Sequence, residues 1–574
     1  MAVLSADVAP PPALAGRPTV QGTRHVVSAG HYLASTAGFQ ILEAGGNAID
    51  AGVAAGLVLG VVQSEYVNIA GVAPIVIYLA QSREVVTISG LGTWPKAANV
   101  QLFAETYGGH IPPGVLRTVV PAAPDAWITA LRNYGTLSFA EVAASAIRLA
   151  REGFIMYPLM NEIITEYEDE YRQWPTNVPI YLPDGRPPAV GDLFVQSDLA
   201  RTLQYMADEE AANASAGRKA GLKAARDAFY KGDIARAIVD FHEANGGLMT
   251  MDDMGGFAVE IEPSYSVEFK GLRIHSCGPW CQGPVLLQML KLLETFDLKS
   301  LGHNSADYVH VVVEAMKLAF ADREQHYADP KFADVPLDSL LSDTYNNVRR
   351  KLIRLDVATN DTSAGDPHHG AVRGATHPQK DMDTSYVCAI DRDGNTFSAT
   401  PSDVSYDSPI IPGTGLCPSS RGFQSWAVPG HPCAVAPGQR PRLTPNPALM
   451  LNDERVMAFG TPGGDVQCQA MLQLLLNAEV FGMPLQEAIE APRFATWSFP
   501  NSFEPHTYLE GRVNLEGRID PATGTRLSAL GHDVEWWPDW TYKAGGLCAA
   551  TREHAGPKLA AAADPRRPCY ALGW

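Results

Sequence analysis

The stretch DMDTSYVCAIDRDGNTFSAT, residues 381–400, decides how this chain is read. It has the pattern of a strand, a tight turn over Asp-Arg-Asp-Gly-Asn, and a second strand. Thr384 opens the first strand behind an acidic lead-in. β-propensity alone places threonine well there. A second reading is chemical. A threonine hydroxyl is a poor nucleophile without a base, and one available base is the residue's own α-amino group, whose pKa of about 7.7–8.0 lets it accept a proton near neutrality. An internal threonine has no such group. The Asp383–Thr384 peptide would first have to be cut, by attack of the Thr384 hydroxyl on the preceding carbonyl and hydrolysis of the resulting ester.

The residues upstream suit that requirement. TSAGDPHHGAVRGATHPQKDMD, residues 362–383, is rich in Gly, Pro and His and has no periodicity, so it reads as a linker. It divides the chain into 1–383 and a β-rich 384–574. His368, His369 and His377 sit in it and are read as solvated, not as metal ligands. Before the linker, HYLASTAGFQILEAGGNAIDAGVAAGLVLGVV reads as two helices broken at Gly45-Gly46, with Asn47 at the second N-terminus. APIVIYLA and EVVTISG read as strands, and SFAEVAASAIRLAREG as a helix capped by Ser138 and stopped by Gly153. YSVEFKGLRIHSCG reads as a hairpin turning at Lys270-Gly271. GPVLLQMLKLLETF and SADYVHVVVEAMKLAFADREQHY read as amphipathic helices.

Bulk properties narrow the classes of function. With 574 residues, 46% hydrophobic and 19% charged, the chain is globular and long enough for one large layered α/β unit. A net charge of −19 with no Lys/Arg block argues against a nucleic-acid partner. The eight cysteines are thinly spread, and Cys277 and Cys281 lack the spacing of a redox or zinc pair, so they read as buried thiols. The N-terminus has neither a basic nor a continuous apolar region of a secretory signal. The longest apolar run, Ala51 to Val62, is too short to span a bilayer. The expectation is a cytoplasmic protein with no membrane partner.

G-x-S-x-G, H-E-x-x-H and P-loop signatures are absent from the sequence. RVMAFGTPGGDVQCQAMLQLLLNAEVFG, however, reads as a strand (Val456 to Phe459), a Gly-rich turn and a helix. Gly463 and Gly464 at that helix start expose backbone N–H groups of the kind that stabilise an oxyanion.

Together these stretches resemble the γ-glutamyltransferase family of N-terminal-nucleophile hydrolases. ILEAGGNAIDAGVAA is similar to its N-terminal signature, NYGTLSFAEVAASAIRLAREGF and EAMKLAFADREQHYADP to its large-subunit helices, and DTSYVCAIDRDGN to its nucleophile segment. PGTGLCPSSRG, GTPGG, AIEAPRF and ADPRR follow in the family's order. The resemblance covers nearly the whole chain. It implies a four-layer αββα sandwich and autocleavage into a large chain, 1–383, and a small chain, 384–574, held as a heterodimer or a pair of heterodimers. It also implies an acyl-enzyme on Thr384, with the freed amine as base and Gly463 and Gly464 as oxyanion hole, and no metal or organic cofactor. Ser402 falls near the family threonine that hydrogen-bonds the nucleophile's amine. Ser385 stands where a second threonine is common.

The same resemblance exposes departures. The family holds the substrate's α-carboxylate with an Arg in R-E-x-A-P; here the stretch is LGTWP, with Leu91 at that place. Its N-N-Q-x-D-D segment is SSRGFQS, with Arg421 at the Gln and Gln424 at the second Asp; its Ser-Ser pair is Leu443 and Thr444. A zwitterionic glutamyl head needs both a cation and an anion, each charge-assisted contact contributing roughly 1.5–3 kcal/mol. The machinery is kept and the glutamyl pocket rebuilt, with Arg421 as a candidate cation for a substrate with one carboxylate. The expected substrate is a small carboxylated amide or an acyl-amide, as for oxamate amidohydrolase or the cephalosporin and glutaryl acylases, with water or an amine as acceptor. The alternatives are a conventional glutathione hydrolase and an unprocessed binding protein.

Overall fold

The computed structural model describes residues 16–359, 363–365 and 383–574. The three linker histidines, the N-terminal residues 1–15 and most of the 362–383 segment lie outside the described residues.

Two seven-stranded antiparallel sheets form the middle of the molecule. In the first, the order is Tyr570–Gly573, Val26–Ala29, Val387–Ile390, Thr396–Ala399, Ile75–Leu79, Glu84–Ile88, Ile261–Pro263. In the second it is Val20–Gly22, Leu559–Ala563, Cys548–Glu553, Arg455–Gly460, Ala448–Leu451, Leu272–Ser276, Tyr265–Phe269. Each sheet therefore combines strands from both sides of residue 383.

The segment 386–390 shows why its sequence is apolar throughout. Val387 and Ala389 point into one core cluster together with the helix Ala48–Val62, whereas Tyr386, Cys388 and Ile390 point into the core between the sheets. Successive side chains of a strand leave on opposite faces, and here both faces are covered. Val387 lies opposite Ala29 on one side and Ala399 on the other.

Helices close both outer faces. Tyr32–Glu43 and Ala48–Val62 pack on the first sheet; Gly283–Leu293 and Val466–Leu475 pack on the second, with Ala306–His326 against Gly283–Leu293. The order helix, sheet, sheet, helix is the four-layer sandwich. Ala48–Val62 is buried along its whole length. Asn47 caps it, its side chain accepting from the N–H groups of Ile49 and Asp50 at 3.0 Å, while Asp50 accepts from the Asn47 N–H at 3.0 Å. Gly52 lets it approach the sheet, since a Cβ there would lie 2.0 Å from the Phe397 ring.

The Lys270-Gly271 turn has φ of 51° and 82° at its two residues, the left-handed pair of a two-residue hairpin. Ser138 caps Phe139–Glu152 as its sequence predicts. Two expectations are modified. Ala306–His326 is not amphipathic, because most of its charged residues are buried in ion pairs, such as Asp322 with Arg349 at 3.0 Å and Arg323 with Asp465 at 2.5 Å. The regular strand after the linker starts at Val387, not at Thr384, which instead forms an isolated bridge with Ser402. Among the described residues no helix is long and apolar enough to cross a membrane.

Candidate active site

Thr384 stands three residues before its strand, at one end of the space between the sheets. The chain is held there by the Ser385 N–H on the Pro401 carbonyl at 3.0 Å and by the Ser402 N–H on the Val72 carbonyl at 3.0 Å. This brings the Thr384 hydroxyl 2.9 Å from that of Ser402. Ser402 in turn lies 3.0 Å from the Asp383 carbonyl oxygen, to which it donates. A hydroxyl has one proton to give. With it committed to that carbonyl, Ser402 accepts from Thr384 and from the Arg421 guanidinium. Gln467 Nε2 approaches the Thr384 hydroxyl from the helix Val466–Leu475, at 3.4 Å. Thr384 and Ser402 are both buried.

Arg421 is fully engaged. It pairs with Asp403 at 3.2 Å, reaches Gln424 Oε1 at 3.4 Å and donates to Ser402. Burial pushes the Asp403 carboxyl up, to about 6, against the opposing pull of Arg421. Gln424 donates to the Thr444 hydroxyl at 3.0 Å. Leu91 and Leu443 belong to the apolar cluster between the sheets. Ser385 donates to Gln63 at 2.6 Å, and Gln63 to the Gly30 carbonyl at 3.1 Å. Arg421, Gln424, Thr444, Leu91 and Ser385 are thus all buried and held by protein groups.

Gly463 and Gly464 have φ of 119° and 54°, the region glycine adopts without strain. Gln282 Nε2 donates to the Gly464 carbonyl at 2.9 Å, fixing the turn from the N-terminal side of residue 383. The Gly463 N–H counters the rise that burial gives the Asp383 carboxyl. Asp465, which follows, accepts from the Ser502 N–H at 2.8 Å and the Ser502 hydroxyl at 2.6 Å as well as pairing with Arg323.

Asp383 was not among the residues singled out by sequence. Its carboxylate accepts from the Thr384 N–H at 2.8 Å and pairs with Arg567 at 2.5 Å. Burial raises its pKa and Arg567 opposes that rise. Asp383, Gly463 and Arg567 line a small cavity with Tyr66, Tyr167, Trp497, Tyr542 and Lys543. Trp497, Tyr542 and Lys543 also line a neighbouring cleft of about 860 Å³, whose walls include Trp537, Trp540 and Glu166. The signal for Arg567 was present in ADPRR, yet nothing local shows that the second arginine meets residue 383.

Glu65, close by, is fully buried and accepts from the Tyr157 hydroxyl at 2.9 Å. Burial lifts its pKa from 4.5 to about 8, so it is neutral at pH 7. The folded protein then holds a proton that the unfolded chain releases, and stability falls as pH rises from about 5 to 8. Glu65→Gln is expected to flatten that fall, read as unfolding midpoint against pH; an unchanged slope contradicts the assignment.

A sequence profile of the gamma-glutamyltranspeptidase family matches residues 34–574. The chain is 34% identical to the acylase ACY 1 proenzyme of Pseudomonas sp. (strain SE83), over 89% of this chain and 88% of that one. It is 30% identical to the oxamate amidohydrolase proenzyme of Klebsiella pneumoniae subsp. pneumoniae, over 96% and 99%. The solved cephalosporin acylase of Bacillus halodurans superposes with a TM-score of 0.86 at 27% identity, covering 100% of this chain and 99% of that one. A match of this extent, on the four-layer frame that carries Thr384 beside Ser402, means that the chain belongs to the gamma-glutamyltranspeptidase family and is an N-terminal-nucleophile hydrolase.

Proposed function

We propose that the chain cuts itself at Asp383–Thr384 and then hydrolyses amides of a small carboxylate-bearing acyl group through an ester on Thr384. The observation that carries this reading is the relay from the Thr384 hydroxyl to Ser402, 2.9 Å, and from Ser402 to the Asp383 carbonyl, 3.0 Å. In maturation the Thr384 oxygen bonds to the Asp383 carbonyl carbon. The developing oxyanion takes the Ser402 hydrogen bond, with Arg421 behind it. The C–N bond breaks, and the nitrogen takes up the hydroxyl proton to become the Thr384 α-amine. Water then cleaves the ester, leaving Asp383 as a carboxylate terminus.

In catalysis the new amine accepts the proton of its own hydroxyl as the oxygen attacks the substrate carbonyl, then delivers it to the departing amine. Gly463 lies on the same small cavity as Asp383, and with Gly464 it supplies backbone N–H donors for the oxyanion. The acylase and oxamate amidohydrolase relatives favour an acyl-amide or carboxylated amide as substrate. Burial of Leu91, Gln424 and Thr444 among protein partners argues against a zwitterionic γ-glutamyl head.

Turnover of acyl-p-nitroanilides in excess of γ-glutamyl-p-nitroanilide is the expected result for the purified protein. Preferential γ-glutamyl turnover would instead support a glutathione hydrolase. Ser402→Ala removes the donor to the scissile carbonyl, and an oxyanion donor is worth about 10²–10³ in rate. The expected result is maturation slowed by about 10², followed as the appearance of two chains on a denaturing gel; maturation at the wild-type rate contradicts the relay.

A further inference from the structure

We propose that Asp383 occupies the acyl subsite of the uncut chain in the manner of a substrate, and that Arg567 receives the distal carboxylate of the true substrate, a mono-amide of a short dicarboxylic acid. This rests on the Thr384 reading above and deepens it. The ester formed in maturation and the acyl-enzyme of catalysis share one linkage, an acyl carbonyl on the Thr384 oxygen. The side chain flanking that carbonyl in the first marks where the acyl group lies in the second.

In the uncut chain the flanking group is a carboxylate two carbons beyond the carbonyl. It sits on Arg567 at 2.5 Å. Cleavage frees Asp383 from Thr384, and once Asp383 withdraws Arg567 loses its carboxylate partner. Arg567 is 5% exposed. Its remaining contacts are the Tyr542 carbonyl, at 2.7 Å and 3.2 Å, and the rings of Tyr66 and Tyr542, with centroids at 5.6 Å and 5.5 Å. None of these is an anion, and Glu65 nearby stays protonated at pH 7. A buried guanidinium that has lost its carboxylate is costly and is an anion receptor by construction. The fork of a guanidinium suits a carboxylate in geometry as well as charge.

The aspartyl spacing matches a succinyl group. Glutaryl is one carbon longer.

The test uses the matured wild-type protein. N-succinyl-p-nitroanilide and N-butyryl-p-nitroanilide have acyl groups of the same carbon count and differ in the distal carboxylate. The expected kcat/KM ratio is at least about 10² in favour of succinyl, a loss typical of an unmatched buried polar group. Succinate, titrated by calorimetry, is expected to bind matured wild type at least tenfold more tightly than butyrate. It is expected not to bind uncut Thr384→Ala, where Asp383 still fills the subsite. Arg567→Met is expected to abolish the succinyl preference; where that variant does not mature, the wild-type ratio decides alone. A protein that splits and hydrolyses both anilides equally, or ignores succinate, overturns this inference and leaves the Thr384 reading standing. A chain that never splits overturns both.

Discussion

Thr384→Ala is expected to purify as one full-length chain and to hydrolyse none of the anilides that the wild type hydrolyses. The loss is complete, not partial, because the hydroxyl serves twice. It is the nucleophile that releases the α-amine and the nucleophile that the amine later activates. No neighbouring group can replace it. Ser402 lies 2.9 Å away, but its proton is committed to the Asp383 carbonyl, and Ser385 is turned onto Gln63. Removing a hydroxyl from a buried threonine leaves the sandwich intact, so the variant is expected to unfold within a few degrees of the uncut wild type. Thr384→Ser keeps the oxygen and is expected to mature, which separates the chemistry from the packing. Cleavage of the alanine variant at residue 383 would show that another group performs it.

The second large effect falls on stability. Asp465 follows the Gly463-Gly464 turn, and its carboxylate holds Arg323, the Ser502 N–H and the Ser502 hydroxyl. Arg323 belongs to the helix Ala306–His326, before residue 383, and both partners of the pair have fully buried side chains. Asp465→Ala therefore leaves the buried guanidinium without its nearest counter-charge, with only Glu324 at 3.6 Å, a carboxylate already paired with Arg442. Removing one partner of such a pair costs about 3–5 kcal/mol. For a chain of this size that is a substantial fall in unfolding temperature, measured by calorimetry. The same substitution unpins the turn that presents Gly463, so residual folded protein is expected to mature slowly. A double variant, Arg323→Leu with Asp465→Ala, removes the stranded charge and is expected to recover part of the lost stability. If the single variant unfolds with the wild type, the pair does not join the two halves as described.

Much of the frame was legible in the sequence, because its signals are local. The Lys270-Gly271 turn, the Asn47 and Ser138 caps and the Gly-rich loop before Val466 each declare themselves within a few residues. Ordered family motifs then imply how distant strands interleave, and the strand after the linker does lie between Val26–Ala29 and Thr396–Ala399. Two things were hidden for physical reasons. Ala306–His326 carries charges at spacings that mimic an exposed face, and only tertiary pairing with Arg349 and Asp465 shows them to be interior. Arg421 presents itself as a spare cation next to a lost acidic motif, but its counter-ion, Asp403, comes from the segment that follows Ser402.

The Asp383–Arg567 pair is hidden in the same way. Its members are far apart in sequence, and each reads locally as an ordinary surface charge. Burial at the meeting point of the two parts of the chain makes them a pair. Long-range ion pairs of this kind are what one sequence withholds, since neither spacing nor periodicity encodes them.

The most direct measurement is intact mass of the purified wild-type protein, with N-terminal sequencing of any smaller chain. Two chains are predicted, the smaller beginning Thr-Ser-Tyr-Val at residue 384 with a free α-amine. A single chain under conditions that favour maturation, or a smaller chain beginning elsewhere, would contradict Thr384 as the nucleophile.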